Sequence, residues 1–368
     1  MAKILLITPY FRPARSGGGG QVSIENLADL LTREHQVSVV CYDCDFGSNY
    51  KIPMILKLEE NKLSVFYLSF GKLFSVLNLI SSIKYDYIYF NSFFSPICIF
   101  FQFYYFSSNS IKIISPKGEF YDGALSNKSL KKSLWLAVYK SLFRRSKFHA
   151  TSVHEVPTIK KRFATSHISI ASDIPSSINI RNDVKSLANQ FRVIYLSRID
   201  PKKNLAFIPE ILQHLEFDIV FDIWGDIGDN LYFEECLKML EVMPKNIKWQ
   251  YKGSLDFVAA KRIFLDYDLF LFPTKGENYG HVVFESLSCG CPVLLSKDTT
   301  PWNDLLDYGI GYNIPLADKL TWMVKISLFS KLTNEEKLLI SERCRNYIEL
   351  KYNITLIENE NLKLFKKN

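Results

Sequence analysis

Cysteine is scarce here: seven in 368 residues, an odd number with no dense framework, which excludes a disulfide-stapled secreted scaffold and fits a reduced, cytosolic chain. Sixteen glycines and fourteen prolines, without short-period repeats or low-complexity tracts, exclude collagen-like and low-complexity classes. At 48% hydrophobic and 23% charged residues the chain has enough apolar matter for a packed core, so disorder is excluded too. Long hydrophobic runs are missing. The apolar run at Ile4–Ile7 meets Pro9, Arg12 and Pro13, too soon for the core of a signal peptide, and reads as a first buried strand. The longest uncharged stretch, 87–111, is interrupted by Asn91, Ser92, Ser95, Pro96, Gln102 and a serine-rich end. A strand, a turn and a short aromatic helix over 97–106 describe it better than a membrane span. The chain reads as soluble. Also lacking are GxGxxG, GxxxxGK[ST], zinc-finger spacing and a helix-turn-helix pattern, so a dinucleotide fold, a P-loop and nucleic-acid binding are not indicated.

What is present is an alternation of strands and helices, told twice. Strand candidates in the first half are 3–8, 36–41, 85–90, 111–115 and 148–151, with helical patterns at 21–34, 129–144 and 155–163. The second half restarts with strands at 191–196, 217–224, 247–251, 268–272 and 292–295. Helices are expected between them at 205–215, 230–242, 256–265, 280–288 and 302–306, and helices follow to the end. Such repetition predicts an α/β protein of two doubly wound domains, with a ligand in the cleft beyond the carboxyl ends of both sheets. The expected division is 1–172, a polar linker 173–189, a second domain 190–345 and a helical tail 346–368 that returns to the first domain.

Charge is uneven. Residues 1–184 carry 22 Lys/Arg against 13 Asp/Glu, and residues 185–368 carry 23 against 25. Lys128, Lys131, Lys132, Lys140, Arg144, Arg145 and Lys147 crowd onto one amphipathic segment. A basic amphipathic helix of this kind suits an anionic membrane surface, each cation contributing about 1 kcal/mol. A solvated helix face is the alternative reading.

Four motifs carry chemistry. Gly17–Gly20 follow the first strand and precede the first helix, where backbone can approach an anionic ligand; a flexible loop is the alternative. Arg198, Lys202 and Lys203 follow the first strand of the second half, placed to neutralise a diphosphate at a strand's carboxyl end, although the helix dipole disfavours them there. Pro273 to Glu285 follows a buried strand and opens a helix, with Glu277 in the loop and Glu285 about a turn inside the helix. Two carboxylates so spaced can grip different parts of one elongated ligand, with amides near Tyr279–His281 between them; a solvated Glu285 is the alternative. Thr299-Thr300-Pro301-Trp302 falls at the same sheet end.

The stretch from Thr274 to Glu285, with Gly290-Cys291-Pro292-Val293 and Thr300-Pro301-Trp302 after it, closely resembles the E-x7-E region of the retaining glycosyltransferases of family 4. Arg198 with Lys203 resembles that family's cation pair. Ser115-Pro116-Lys117-Gly118-Glu119, Gly123-Ala124-Leu125 and His149-Ala150-Thr151-Ser152 with Glu155 resemble its bacterial polysaccharide and lipopolysaccharide members. The resemblance implies the GT-B fold, two Rossmann-like domains with a nucleotide-sugar donor in the cleft and the first domain on the acceptor side. It implies that Arg198 and Lys203 hold the donor diphosphate, that Glu285 binds the ribose hydroxyls and that Glu277 lies on the transferred sugar. Asn278, Tyr279 and Gly280 would add hydrogen bonds to sugar hydroxyls, and Gly18, Gly19 and Gly20 would approach the phosphates or the acceptor.

In one respect the sequence departs from the family: Pro116-Lys117-Gly118 stands where many members carry a first-domain histidine, and His154 reads as structural. Metal signals are weak. Asp43-Cys44-Asp45 lies far from the donor motifs, Cys41 and Cys44 have no second half-site, and Asp266 and Asp268 read as solvent-facing caps. No cofactor is expected beyond the nucleoside-diphosphate sugar (UDP- or GDP-linked) as co-substrate, and transfer is expected to be metal-independent. The expected acceptor is a lipid-linked oligosaccharide, with the protein peripheral on the cytoplasmic face of the inner membrane and no nucleic-acid partner. Two alternatives stand beside transfer: a GT-B sugar-nucleotide epimerase or hydrolase, and a non-catalytic nucleotide-sugar-binding subunit.

Overall fold

Two parallel sheets organise the chain, one in each of two units, and both are built from the apolar runs read in the sequence. The computed structural model describes residues 1–14, 17–45, 58–60, 62–69, 71, 73–121, 136, 146–163, 167–175, 190–255 and 262–366. Unit 1 comprises Met1–Pro175 and Ile354–Asn368, and unit 2 comprises Ser176–Asn353.

The sheet of unit 1 has the order β3-β4-β2-β1-β5-β6-β7-β8. Its strands are β1 (Lys3–Ile7), β2 (Gln36–Tyr42), β3 (Leu58–Glu60), β4 (Leu63–Leu68), β5 (Tyr87–Asn91), β6 (Ile111–Ser115), β7 (Lys147–Ala150) and β8 (Ile168–Ile170). All pairs are parallel except the β3–β4 hairpin at one edge. Every residue of β5 is buried, as a strand covered on both faces requires. The helices are α1 (Gly18–Thr32), α2 (Leu73–Ser81), α3 (Pro96–Tyr104) and α4 (Glu155–Arg162). The sheet order turns between β1 and β5. α2 and α3 pack Val76, Ile80, Ile97, Cys98 and Phe101 into one core cluster with Leu5, Ile7, Ile88 and Phe90, so both cover the same sheet face.

Unit 2 has the order β11-β10-β9-β12-β13-β14, all parallel, from β9 (Phe191–Leu196), β10 (Ile219–Trp224), β11 (Ile247–Gly253), β12 (Leu269–Phe272), β13 (Val293–Ser296) and β14 (Gly311–Ile314). Its helices are α5 (Phe207–Leu212), α6 (Asn230–Glu241), α7 (His281–Ser288), α8 (Lys319–Ser330) and α9 (Asn334–Lys351). Separate core clusters lie on the two sides of this sheet, one around Trp322 and one around Trp302. The α/β expectation of two doubly wound, Rossmann-like units is therefore met.

Several expectations are corrected. The boundary expected at 345 falls inside α9, a continuous eighteen-residue helix that opens on a capping box at Thr333 and Glu336 and runs on to Lys351. The return to unit 1 begins with α10 (Ile354–Lys363). There Phe365 meets Tyr87 and Tyr89 edge-on and tilted, and Arg33 grips Glu358 at 2.9 and 3.0 Å. Residues 302–306 form no helix but an irregular stretch and a turn, since the buried Trp302 is held by the neighbouring loop through Tyr279 O. Strands β3, β8 and β14 were not legible, being short or partly polar edge elements, and β4, an internal and mostly buried strand, was missed as well. Among the described residues no helix is long and apolar enough to cross a membrane.

Candidate functional site

In unit 2 the strand order turns at β9, which has β10 and β11 on one side and β12 on the other. Parallel strands whose connections run off in opposite directions leave their carboxyl-terminal loops parted, and ligands bind in that crevice. The loop after β9 carries Arg198 to Asn204, and the loop after β12 carries Pro273 to Gly280.

The two loops are tied together. Lys275 N donates to Lys202 O at 2.8 Å, and Asn204 Nδ2 donates to Pro273 O at 3.0 Å. Asn204 has φ +62°, a left-handed turn that asparagine tolerates better than most residues. Asp200 organises the first loop. Its Oδ1 accepts from the amides of Lys202 and Lys203 at 3.0 and 3.1 Å, and its Oδ2 holds Arg198 Nε at 3.1 Å. Arg198 lies against Gly228, where a Cβ would come within 2.9 Å of the arginine's Cγ and Cδ.

The result is an ion pair between Lys203 Nζ and Glu277 Oε1, with the two side chains 16% and 15% exposed. The same carboxylate oxygen accepts from Thr274 Oγ1 at 3.2 Å, and Glu277 N donates to Thr299 O at 2.7 Å. Two charges so poorly solvated are held only because each satisfies the other. Arg198, Lys203 and Glu277, predicted from separate motifs, therefore share one strand-end site.

Asn278, Tyr279 and Gly280 complete the loop. Gly280 (φ +79°) caps α7, and a Cβ there would lie 3.2 Å from Trp302 Nε1. The indole in turn donates to Tyr279 O at 2.6 Å and stacks on Tyr352 at 5.0 Å. Thr300-Pro301-Trp302 thus supports the loop from behind. Glu285 sits half-buried on α7, between buried Phe284 and Ser286.

The remaining expected positions lie elsewhere. Gly18, Gly19 and Gly20 belong to unit 1, where they form the exposed first turn of α1 rather than a loop. They follow β1 at that sheet's own turning point, and Asn91 Nδ2, at the end of β5, donates to Gly20 O at 3.2 Å. Lys128, Lys131, Lys132, Lys140, Arg144 and Arg145 lie outside the described residues. His154 is exposed at the start of α4, so it is not a packed structural histidine. Asp268 is no solvent-facing cap: 6% exposed, it pairs with Lys337 at 3.0 Å and accepts from Arg192 N at 2.9 Å. Among the described residues no group of three His, Cys, Asp or Glu side chains is placed to hold a metal ion.

Sequence reading overlooked a polar network beneath the Ser115–Glu119 segment. Lys117 (φ +51°) pairs with Asp173 and donates to Ser23 Oγ at 2.8 Å. Glu155 accepts from Gly118 N at 2.6 Å and from Thr151 N at 2.8 Å, and burial raises its pKa above the usual carboxylate range. Glu119 accepts from Ser92 Oγ and Phe93 N, both at 2.6 Å. Ala171 O can only accept from His149 Nε2 (2.8 Å), so His149 Nδ1 takes the proton of Tyr89 OH (2.8 Å). Burial, helped by the Lys117 ammonium, pushes the His149 pKa down to about 4. The only signal in the sequence was a run of polar residues inside apolar strand ends.

Residues 176–332 match the model of a known family, described as "Glycosyl transferases group 1". That stretch lies within unit 2 and contains Arg198, Lys203, Glu277 and Glu285. Unit 2 is thus the part of the chain that resembles group 1 glycosyl transferases. Over 106 residues, 28% of its length, the chain is 30% identical to the sulfoquinovosyl transferase SQD2 of Arabidopsis thaliana. The chain spans only 19% to 30% of the length of the curated relatives it matches. Among solved structures, HepE of Anabaena in complex with UDP and glucose is 17% identical, with a TM-score of 0.74 over 99% of each chain. A variant of TarM from S. aureus, in complex with fondaparinux, α-GlcNAc-glycerol and UDP, is 13% identical with a TM-score of 0.74 over 100% of each chain. The fold is GT-B.

Proposed function

We propose that the protein is a retaining glycosyltransferase of the hexosyl type, in the manner of family 4. It moves a sugar from a UDP- or GDP-linked donor to a lipid-linked oligosaccharide. Such a reaction serves bacterial surface polysaccharide synthesis (O-antigen, capsule or exopolysaccharide) at the cytoplasmic face of the inner membrane. The observation that carries the reading is the Lys203–Glu277 pair at the turning point of a parallel sheet, with Arg198 on the same strand end. The UDP complexes of HepE and TarM support a nucleotide donor, and the group 1 match supports glycosyl transfer.

The chemistry asks for these groups. The bond between the anomeric carbon and the diphosphate oxygen breaks, the acceptor hydroxyl oxygen bonds to that carbon, and the hydroxyl proton passes to the departing phosphate. Negative charge grows on the leaving diphosphate, and two fixed cations stabilise it more in the transition state than in the ground state. Lys203 and Arg198 take that role. Glu277 faces the positive charge that develops on the sugar ring, Glu285 takes the ribose hydroxyls, and the amides around Asn278–Gly280 bind sugar hydroxyls. In this reading Gly18, Gly19 and Gly20 approach the phosphates or the acceptor, and the cation pair does the work of a metal.

A thermal-shift panel of UDP, GDP, ADP and CMP on the wild type and Glu285→Ala tests the donor side. At 100 times its dissociation constant a ligand adds about 2.7 kcal/mol, a clear shift. One nucleoside diphosphate should stabilise the wild type and leave the variant unmoved. No shift with any of them would remove the donor assignment. Product analysis with and without acceptor then separates transfer from epimerisation or hydrolysis.

A further inference from the structure

A surface helix of a globular protein normally presents charged side chains to water. Two helices of unit 1 do not. Residues 73–83 and 87–111, which contain all of α2 and α3, hold no Asp, Glu, Lys or Arg. Both helices bury one side in the same core cluster and so lie on the same face of the sheet. Their outward sides, with Phe106 (46%) in the turn just past α3, expose Phe74 (80%), Leu79 (41%), Phe100 (40%), Phe103 (41%) and Tyr104 (40%). Five of these six are aromatic. Elsewhere exposed apolar residues are interleaved with charge, as on α8, where Leu320, Val324 and Leu328 alternate with Lys319 and Lys325.

We propose that the outward face of α2 and α3 docks onto an anionic phospholipid bilayer. Three observations favour a bilayer over a protein partner. Phe and Tyr make up five of the six large apolar side chains exposed there, among uncharged Ser75, Asn78, Ser81 and Ser82, and they are the residue types that settle at the headgroup level with the ring in the acyl boundary. The face offers no charge that could set register or partner choice, which a specific protein interface uses. One margin carries two lysines, beside a single carboxylate, Asp86, that accepts from Lys3 N. Lys84 follows α2, and Lys112, at the start of β6, returns its ammonium to Ser108 O, just past α3, at 2.8 Å. The first half of the chain carries 22 Lys/Arg against 13 Asp/Glu, the sign that complements anionic lipid. Insertion is shallow, since among the described residues no helix is long and apolar enough to cross. The inference locates the membrane side of the proposed function and rests on that part of it only, not on the transfer reaction.

Vesicle co-sedimentation tests it, with liposomes of phosphatidylcholine alone and with one-third phosphatidylglycerol. The wild type should partition to the anionic vesicles and keep a share of that binding at 0.5 M salt, where purely electrostatic attachment is screened away. Phe100→Ser with Phe103→Ser should lower partitioning about tenfold, while Phe100→Trp with Phe103→Trp should bind at least as well as the wild type. All three proteins should show the same nucleotide-induced thermal shift, which reads folding and the donor site separately from the docking face. Equal partitioning of the serine and wild-type proteins would overturn the proposal. So would a wild type that ignores vesicles and forms a dimer that the serine variant breaks, since that assigns the face to a second copy.

Discussion

His149 shows how one buried side chain sets a pH limit on this protein. It is neutral in the fold, with a pKa near 4 against an ordinary 6.5, so the unfolded chain takes up a proton between those values and the folded chain does not. Its contribution is fully present above pH 6.5 and is lost as pH falls toward 4, by on the order of 3 kcal/mol. Glu25 and Glu155 act in the opposite sense, because burial raises their pKa values and acid favours their folded, protonated forms. Urea titrations at pH 7 and pH 4.5 isolate the histidine: His149→Gln should lose less stability over that interval than the wild type. At the candidate site Glu277→Gln keeps the shape and hydrogen-bonding reach of the side chain but removes its charge. Turnover should fall by about 10²- to 10³-fold with donor affinity changed far less, and steady-state kinetics with a nucleotide titration separates the two. The residue types at this site were legible in the sequence, because phosphate and sugar chemistry calls for cations and carboxylates in loops after strands. Their pairing was not.

At the scale of elements, most strands and helices of the central sheets were read from periodicity to within a few residues, since that signal is local, while β4 and α2 were not read at all. The failures have physical causes. β3, β8 and β14 are short edge or polar segments whose strand character comes from a neighbour's hydrogen bonds. The turn at 302–306 was read as a helix, while the structure commits Trp302 to Tyr279 O and to the stack with Tyr352. Gly280 belongs to this scale because it sets where α7 begins. Gly280→Ala forces an L-residue to φ +79° and pushes a methyl group toward Trp302 Nε1. A loss of about 1–2 kcal/mol is expected, together with a smaller nucleotide-induced thermal shift, and urea denaturation with the same nucleotide panel measures both.

For the whole molecule, the tail makes the clearest prediction. α10 and the residues after it belong to unit 1, where Ile357, Leu364 and Phe365 are 7%, 5% and 3% exposed. Asn361 Nδ2 also donates to Ser172 O at 2.9 Å. Truncation after Asn353 removes three buried apolar side chains, each contributing roughly 1.5–3 kcal/mol, and uncovers Tyr87 and Tyr89. Hydrogen exchange should then speed up in β5 and remain unchanged in β12. Equal protection in β5 with and without the tail would contradict this account of how unit 1 is covered.

The sequence by itself determined the α/β class, the doubled strand–helix pattern, the chemistry of the loops after β9 and β12, and the uncharged stretch that became α3. These follow from side-chain character and spacing over a few residues, which the backbone converts directly into strand, helix and turn. Only the tertiary structure decided that Lys203 meets Glu277 across 74 positions, that Asp268 is buried against Lys337, and that the last helix returns to the first unit. Such contacts depend on strand order and on which groups can shed water together. Both are properties of the assembled sheets, and no short stretch of chain encodes them alone.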